Sequence, residues 1–307
     1  MRVRFPLPAP LKKQKLLILV GPTASGKSAL AVELAGKFAG EVISADSRQV
    51  YKGLDIGTGK ITKREMRGIR HHLLDVASPK KIFTAHDFLI HTHHAIAEVV
   101  CREKLPILCG GTGFYIDAVV GLVALPDVPA NAKLRAQLEK MSAERLFKML
   151  EERDARRAKD IDPHNKRRLI RALEISAALG ASPRPSKKEL YDTFWIGIAP
   201  EKDDLRERIQ KRLSARLRDG MIAEARTLHR GGLSYKRMDE LGLEYRSLAR
   251  FLQRKISRSE LEAELAREIP HYAKRQMTYW KRNANIHWFR ADQKTPIPQL
   301  VWKWLEK

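Results

Sequence analysis

Cysteine is nearly missing from this sequence. Cys101 and Cys109 are the two among 307 residues, too few for a disulfide framework or a four-thiolate zinc site. That scarcity fits a reducing interior, and a cytoplasmic location is expected. No apolar run approaches the ~20 residues that a membrane helix needs, so no membrane association is expected, and no internal repeat is visible. Residues 1–15 carry Arg2, Arg4, Lys12, Lys13 and Lys15 around Pro6, Pro8 and Pro10. They lack the apolar core and cleavage pattern of a secretory signal and are expected to form a flexible basic tail. Acidic residues are also scarce: 36 Asp and Glu stand against 59 Lys and Arg, a formal net charge of +23. A field of that size implies a polyanionic partner. Without an amphipathic anchor or a membrane span, nucleic acid is the better choice.

What is present begins with Gly21-Pro22-Thr23-Ala24-Ser25-Gly26-Lys27-Ser28, set between the apolar run Leu16–Val20 and a helix-spaced stretch in which Leu30, Leu34 and Phe38 recur every four residues. The glycines permit a tight turn, so that successive N–H groups and the positive end of the following helix converge on an anion. Lys27 adds a point charge, and the Ser28 hydroxyl is of the type that holds Mg2+. Kinases, hydrolases and transferases all use such a loop, so the motif alone does not choose between them.

Apolar runs at Leu16–Val20, Val42–Ser44 and Leu105–Cys109, with helical spacing between them and a further run at Phe194–Ala199, predict an α/β fold. Its core is a parallel sheet of the P-loop NTPase-like kind with an inserted helical domain. The expected division is a core of 16–121 and 192–307 and an insertion of 122–191. Helix breakers bracket that insertion at Pro126-Asp127-Val128-Pro129 and at Gly180–Ser186. Within it, Leu134, Leu138 and Met141, then Leu146, Met149 and Leu150, then Leu169, Leu173 and Ala177 have helical spacing. Further helices are expected over Asp203–Asp219 and Arg258–Arg282, the second bent or restarted near Pro270.

Asp46-Ser47-Arg48-Gln49 follows the second apolar run, at the strand end where ligands of parallel sheets gather. Gly110-Gly111-Thr112 ends the third. By pattern alone Asp46 serves equally as a helix cap and the glycines as a plain turn. Arg208, Arg212 and Arg216 lie at four-residue spacing opposite Leu205, Ile209, Leu213 and Leu217, which by itself describes a solvated basic face. His91, His93 and His94 lack a partnering carboxylate or cysteine pattern and read as solvated helix histidines.

Together with Asp55-Ile56-Gly57-Thr58, His72-Leu73-Leu74-Asp75, Asn165–Glu174 and Tyr272-Ala273-Lys274-Arg275-Gln276, these segments resemble the tRNA dimethylallyltransferase family, also called tRNA isopentenyltransferases. The resemblance runs in order through nearly the whole chain. It implies transfer of an allylic five-carbon group from dimethylallyl diphosphate to the exocyclic amine of the adenosine 3′ of a tRNA anticodon, by a Mg2+-dependent enzyme expected to be a monomer.

By the same resemblance Asp46 is the general base, Thr23 donates to the bridging oxygen of the diphosphate, and Arg212 assists at that group. Residues 21–28 hold the donor, with Ser28 toward the metal. Contacts to tRNA are implied for Asp46, Ser47, Arg48 and Gln49, and for Thr112 and Arg135. They are implied too for Arg167, Arg168, Leu169, Ile170 and Arg171, for Gly242, Tyr245 and Arg246, and for Lys274, Arg275, Gln276, Trp280 and Lys281. A base inside a stacked loop must be turned out to react, so cations interleaved with rings, as around Tyr279 and Trp280, suit the anticodon arm. Gly242-Leu243-Glu244-Tyr245-Arg246 departs from the commoner family pattern, a shorter glycine–tyrosine motif followed by a basic residue. An enzyme prenylating free adenine nucleotides is the neighbouring alternative.

Overall fold

The computed structural model describes residues 13–184 and 190–307. In chain order the elements are β1 (Lys15–Val20), α1 (Lys27–Lys37), β2 (Gly40–Ser44), α2 (Lys63–Met66), β3 (His71–His72), α3 (Ala85–Cys101), β4 (Leu105–Gly110) and α4 (Gly113–Val119). Four helices follow: α5 (Ala132–Leu138), α6 (Ala143–Arg153), α7 (Ala155–Asp160) and α8 (Lys166–Leu179). Then come β5 (Asp192–Ile198), α9 (Lys202–Arg218), α10 (Met221–Arg230), α11 (Tyr235–Leu241), α12 (Leu243–Leu252), α13 (Arg258–Trp280), β6 (Ile286–Phe289) and α14 (Ile297–Leu305). The described residues form two compact units, one of 13–120 with 190–307 and the other of 121–184.

In the larger unit the strands make one sheet in the order β3-β2-β4-β1-β5-β6, every pairing parallel. This bears out the α/β expectation. A strand buried on both faces must be apolar throughout, and β1 divides its side chains by the alternation of a pleated strand. Leu16, Ile18 and Val20 enter a core with Phe88, Ile96 and Val99 of α3 and Ile116 of α4. Leu17 and Leu19 enter another with Leu30 and Leu34 of α1 and Val301 and Trp304 of α14. At about 1.5–3 kcal/mol for each large side chain removed from water, this two-sided burial fixes the central strand and the loop that leaves it. A third core gathers α9 to α13, with Leu213, Met221, Leu248, Leu261 and Leu265 buried together.

Several expectations need correction. Lys15 is the first residue of β1, its ammonium 3.1 Å from an Asp192 carboxylate oxygen and 2.7 Å from the Trp304 carbonyl oxygen, so the strand begins inside the expected tail; residues 1–12 lie outside the described residues. Pro185 and Ser186 of the expected breaker segment also lie outside them. Helix α13 runs unbroken through Pro270 and does not restart. The edge strands β3 and β6 were not expected: two and four residues are too short to show a period. His93 is half-buried, with Nδ1 2.6 Å from the Tyr191 hydroxyl, whereas His91 and His94 are exposed as expected.

The smaller unit packs α5 to α8 around Leu138, Leu146, Leu150, Leu169 and Leu173. Ala177, expected in that stripe, is exposed. Asn131, Ser142, Asp154 and Asn165 each cap the helix that follows them, satisfying N–H groups that a helix start leaves open.

Candidate active site

A cavity of about 260 Å³ opens at the carboxyl ends of β1, β2 and β4 in the larger unit, lined among others by Thr23, Lys27, Ser28, Asp46 and Arg212. Ligands of parallel sheets collect at this edge, where loops and helix amino termini converge. The loop from β1 into α1 is shaped by its backbone. Gly21 has φ +149, and a Cβ there would stand 2.5 Å from the Ile198 carbonyl oxygen. Gly26, φ +89, is the N-cap of α1, and the first turn holds no acidic side chain to occupy its N–H groups. The loop thus presents a positive, unneutralised helix end.

Lys27 folds back over this loop, donating to the Pro22 carbonyl oxygen at 3.1 Å. Burial pushes its ammonium below the usual lysine range; Asp46 opposes that shift and Arg212 adds to it. An anion in the cavity would offset the same penalty. The Thr23 N–H donates to Gln276 Oε1 at 2.8 Å, and Gln276 Nε2 donates to the Gly111 carbonyl oxygen at 3.1 Å. Gln276 is buried and ties the phosphate loop to the end of β4 from α13, 253 residues further along the chain.

At the end of β2, Asp46 Oδ1 accepts from the N–H groups of Arg48 (2.8 Å) and Gln49 (3.3 Å). Its carboxylate therefore has a fixed orientation and one oxygen without these bonds. The Thr112 hydroxyl accepts from the Ser47 N–H at 3.0 Å, so the turns after β2 and β4 brace each other. Arg48 donates through Nε to the Leu241 carbonyl oxygen. Close approach is required here: a Cβ on Gly110 would lie 2.1 Å from the Ala45 carbonyl oxygen.

Arg212 and Gln49 both reach the Gly59 carbonyl oxygen, each at 3.5 Å. Burial, with Arg216 beside it, lowers the Arg212 pKa, yet among the described residues no carboxylate forms an ion pair with it. Arg216 does have one: its Nη1 lies 3.0 Å from Glu244 Oε1 and 2.9 Å from the Gly57 carbonyl oxygen. Glu244 lines the cavity, and burial raises its pKa. The segment 55–60 that carries these carbonyls rests on Glu224. Glu224 Oε2 accepts from the N–H groups of Asp55 (3.0 Å) and Ile56 (2.6 Å), and Oε1 from the Gly57 N–H (2.9 Å) and the Tyr245 hydroxyl (2.7 Å). Neither Glu224 nor Glu244 was singled out by pattern, because an acidic residue on an amphipathic helix resembles any solvated one.

The expected site residues fall into three groups. Thr23, Lys27, Ser28, Asp46, Ser47, Arg48 and Gln49 meet in the cavity. They are joined there by Arg212, Gly242, Tyr245, Arg275 and Gln276, while Gly21, Pro22, Ala24, Ser25 and Gly26 supply the loop backbone and Thr112 braces the rim. A second group is exposed on the larger unit and does not line the cavity: Lys274 on α13, Lys281 just after that helix, and Arg246, whose Nε lies 2.9 Å from Asp239 Oδ1. The third is on the smaller unit. Arg167 and Arg168 are exposed, but Arg135 is paired with both oxygens of the buried Glu174 at 2.8 and 2.7 Å. Arg171 lies 3.4 Å from the same carboxylate and donates to the Val128 carbonyl oxygen at 2.8 Å.

Four expected side-chain contacts need revision on grounds of burial. Leu169 and Ile170 belong to the core of the smaller unit, and Trp280 packs edge-on to Trp195 in the sheet core, 1 % exposed. The Tyr245 hydroxyl is spent on Glu224. The Leu169, Ile170 and Trp280 side chains present no surface of their own to a nucleic acid, while Tyr245 borders the cavity with its hydroxyl held by Glu224.

A parallel-sheet enzyme with a phosphate-loop geometry, an arginine outside any ion pair and an oriented carboxylate on one cavity is the class so far defined. Residues 49–283 match the IPP transferase family. The chain is 41 % identical over 281 residues to "tRNA dimethylallyltransferase 1" of Geotalea uraniireducens, covering 90 % of this chain and 93 % of that one. It is 36 % identical to "tRNA dimethylallyltransferase" of Anoxybacillus flavithermus over 94 % of both. Among solved structures, the tRNA isopentenylpyrophosphate transferase of Bacillus halodurans aligns with TM-score 0.73 at 37 % identity, over 96 % of this chain and 97 % of that one. A eukaryotic dimethylallyltransferase described as acting on tRNA aligns with TM-score 0.80 at 25 % identity, over 91 % and 74 %. The chain belongs to the IPP transferase family, the family of the tRNA dimethylallyltransferases, and is a prenyltransferase.

Proposed function

We propose that this chain transfers the dimethylallyl group of dimethylallyl diphosphate to the exocyclic amine of the adenosine 3′ of the anticodon in tRNA, with release of diphosphate. The observation that carries the reading is the meeting of Lys27, Arg212 and Asp46 on one cavity beside the open amino terminus of α1. The allylic C–O bond breaks, leaving its electron pair on diphosphate; a C–N bond forms to the amine, and the amine proton passes to Asp46. Adenine's amine is a weak nucleophile, so stabilising the departing charge is the larger demand. Lys27, Arg212 and the loop N–H groups meet it. The Thr23 hydroxyl donates to the bridging oxygen, and the oriented Asp46 carboxylate removes the proton, a contribution typically of ~10²–10⁴ in rate.

Mg2+ fits the donors present. It needs one or two protein oxygens together with phosphate oxygens, and the Ser28 hydroxyl is exposed at the cavity; among the described residues no cluster of three or more His, Cys, Asp or Glu forms a separate metal site. Bound there, Mg2+ would neutralise charge on the diphosphate. Arg167 and Arg168 on one unit and Lys274, Arg275 and Lys281 on the other are exposed cations available to the phosphates of the anticodon arm. No helix among the described residues is long and apolar enough to cross a membrane, and a cytoplasmic monomer completes the reading.

Incubation with the allylic diphosphate and either unmodified tRNA or AMP, followed by nucleoside mass spectrometry, tests this. The prenylated adenosine should appear in tRNA at the position after the anticodon. Modification of AMP alone would reject the assignment.

A further inference from the structure

The rim of the phosphate loop carries positive charge that the motif does not account for. A Cβ built on Gly26 would meet Lys294 Nζ at 3.8 Å and Arg208 Nη1 at 4.0 Å. The two cations come from different elements, Arg208 from α9 and Lys294 from the connection between β6 and α14. Among the described residues neither is in an ion pair. Asp292, the acidic residue closest to Lys294 in sequence, is paired with Arg290, Nε to Oδ1 at 3.3 Å. Lys294 is half-buried, so its ammonium stands beside the open helix end of α1 with reduced hydration and no counter-charge. Asp292 also acts electrostatically on Arg208, but two cations brought together at a helix amino terminus still repel one another, and an anion bound there relieves that repulsion.

We propose that Lys294 is a donor-binding residue whose ammonium contacts the diphosphate of the allylic donor at the Gly26 side of the phosphate loop, with Arg208 beside it. The inference rests on the reading that this loop binds diphosphate, and it adds to that reading a contact from the last 20 residues of the chain, outside the loop motif and outside the family match that ends at residue 283. Gly26 suits this approach: with φ +89 it adopts a conformation that a larger residue resists, and even a Cβ there would come into contact with both cations.

The test is steady-state prenylation of tRNA by the full chain carrying Lys294→Ala, Lys294→Arg or Lys27→Ala. Loss of one charge-assisted contact at a half-buried site raises the KM for the donor by about 5–20-fold. Lys294→Ala should show that rise with the KM for tRNA within about two-fold, and inorganic diphosphate should weaken as a product inhibitor by a similar factor. Lys294→Arg should recover most of the loss. A donor KM unchanged in Lys294→Ala while Lys27→Ala is impaired would overturn the role of Lys294 and leave the phosphate-loop reading standing. An unchanged donor KM in Lys27→Ala as well would show that the diphosphate binds elsewhere and overturn both.

Discussion

Replacing Glu224 probes how the cavity is held open to Arg212. Its carboxylate accepts four hydrogen bonds, from the N–H groups of Asp55, Ile56 and Gly57 and from the Tyr245 hydroxyl. Glu224→Ala removes all four acceptor contacts. With each lost bond worth about 1 kcal/mol, the substitution should destabilise the larger unit by about 4 kcal/mol. Glu224→Gln is milder, because the amide can turn its NH2 toward the Tyr245 hydroxyl, which can accept as well as donate, leaving the Gly57 N–H as the main unpaired group. The cost then falls to about 2 kcal/mol. In a Tyr245→Phe background that escape is closed, so Glu224→Gln should cost about 1 kcal/mol more than in the parent. Urea unfolding of the four variants measures these differences. The same loop carries the Gly59 carbonyl oxygen that Arg212 and Gln49 reach, so the donor KM of Glu224→Ala should also rise. A Glu224→Ala protein with a midpoint shift equivalent to less than about 0.5 kcal/mol, as for an ordinary surface substitution, and an unaltered donor KM would refute the bracing role.

Three further outcomes are expected. Asp46→Asn should lower kcat by at least about 10²-fold with tRNA affinity within a few-fold by filter binding; full turnover would mean that another group takes the proton. Arg167→Ala with Arg168→Ala should flatten the slope of log K against log salt for tRNA binding by about 1.5, and an unchanged slope would remove this helix from the interface. Arg171 is excluded from that pair because its loss would disturb Glu174 as well. Glu41, buried at the start of β2, receives hydrogen bonds from Arg102 and His72. Burial alone would raise its pKa, but those bonds and the Arg102 charge hold it at about 2 against 4.5 for a free glutamate. A depressed carboxyl pKa stabilises the fold above its unfolded value, and that contribution fades as pH falls from about 4.5 toward 2. Glu41→Gln should therefore lower the thermal midpoint at pH 7 and narrow its gap from the parent below pH 4, as calorimetry would read; a gap independent of pH would contradict the pairing.

Much of the active site lay in local pattern. The phosphate loop is eight consecutive residues, and both its glycines and its flanking strand and helix are neighbours in sequence. Asp46 follows the apolar run that becomes β2, so its place at the sheet edge follows once the strand is recognised. The central strands were visible because burial on both faces requires uninterrupted apolar residues. The charged residues needed more. Arg135 and Arg171 look like free cations until Glu174 is found between them, and no local pattern shows that the Tyr245 hydroxyl is held by Glu224.

The sequence by itself settled the parallel sheet, the anion-binding loop and the carboxylate beside it, because each is encoded within a few residues by backbone freedom or apolar runs. Only the tertiary structure decided which charges remain free to meet a ligand. A side chain's availability depends on partners far away in the chain: Gln276 reaches Thr23, Glu224 holds Asp55 to Gly57, and Glu244 neutralises Arg216 and leaves Arg212 unpaired. Hydrogen bonds and ion pairs act over a few ångströms of space whatever the separation in sequence, so no local pattern could reveal them.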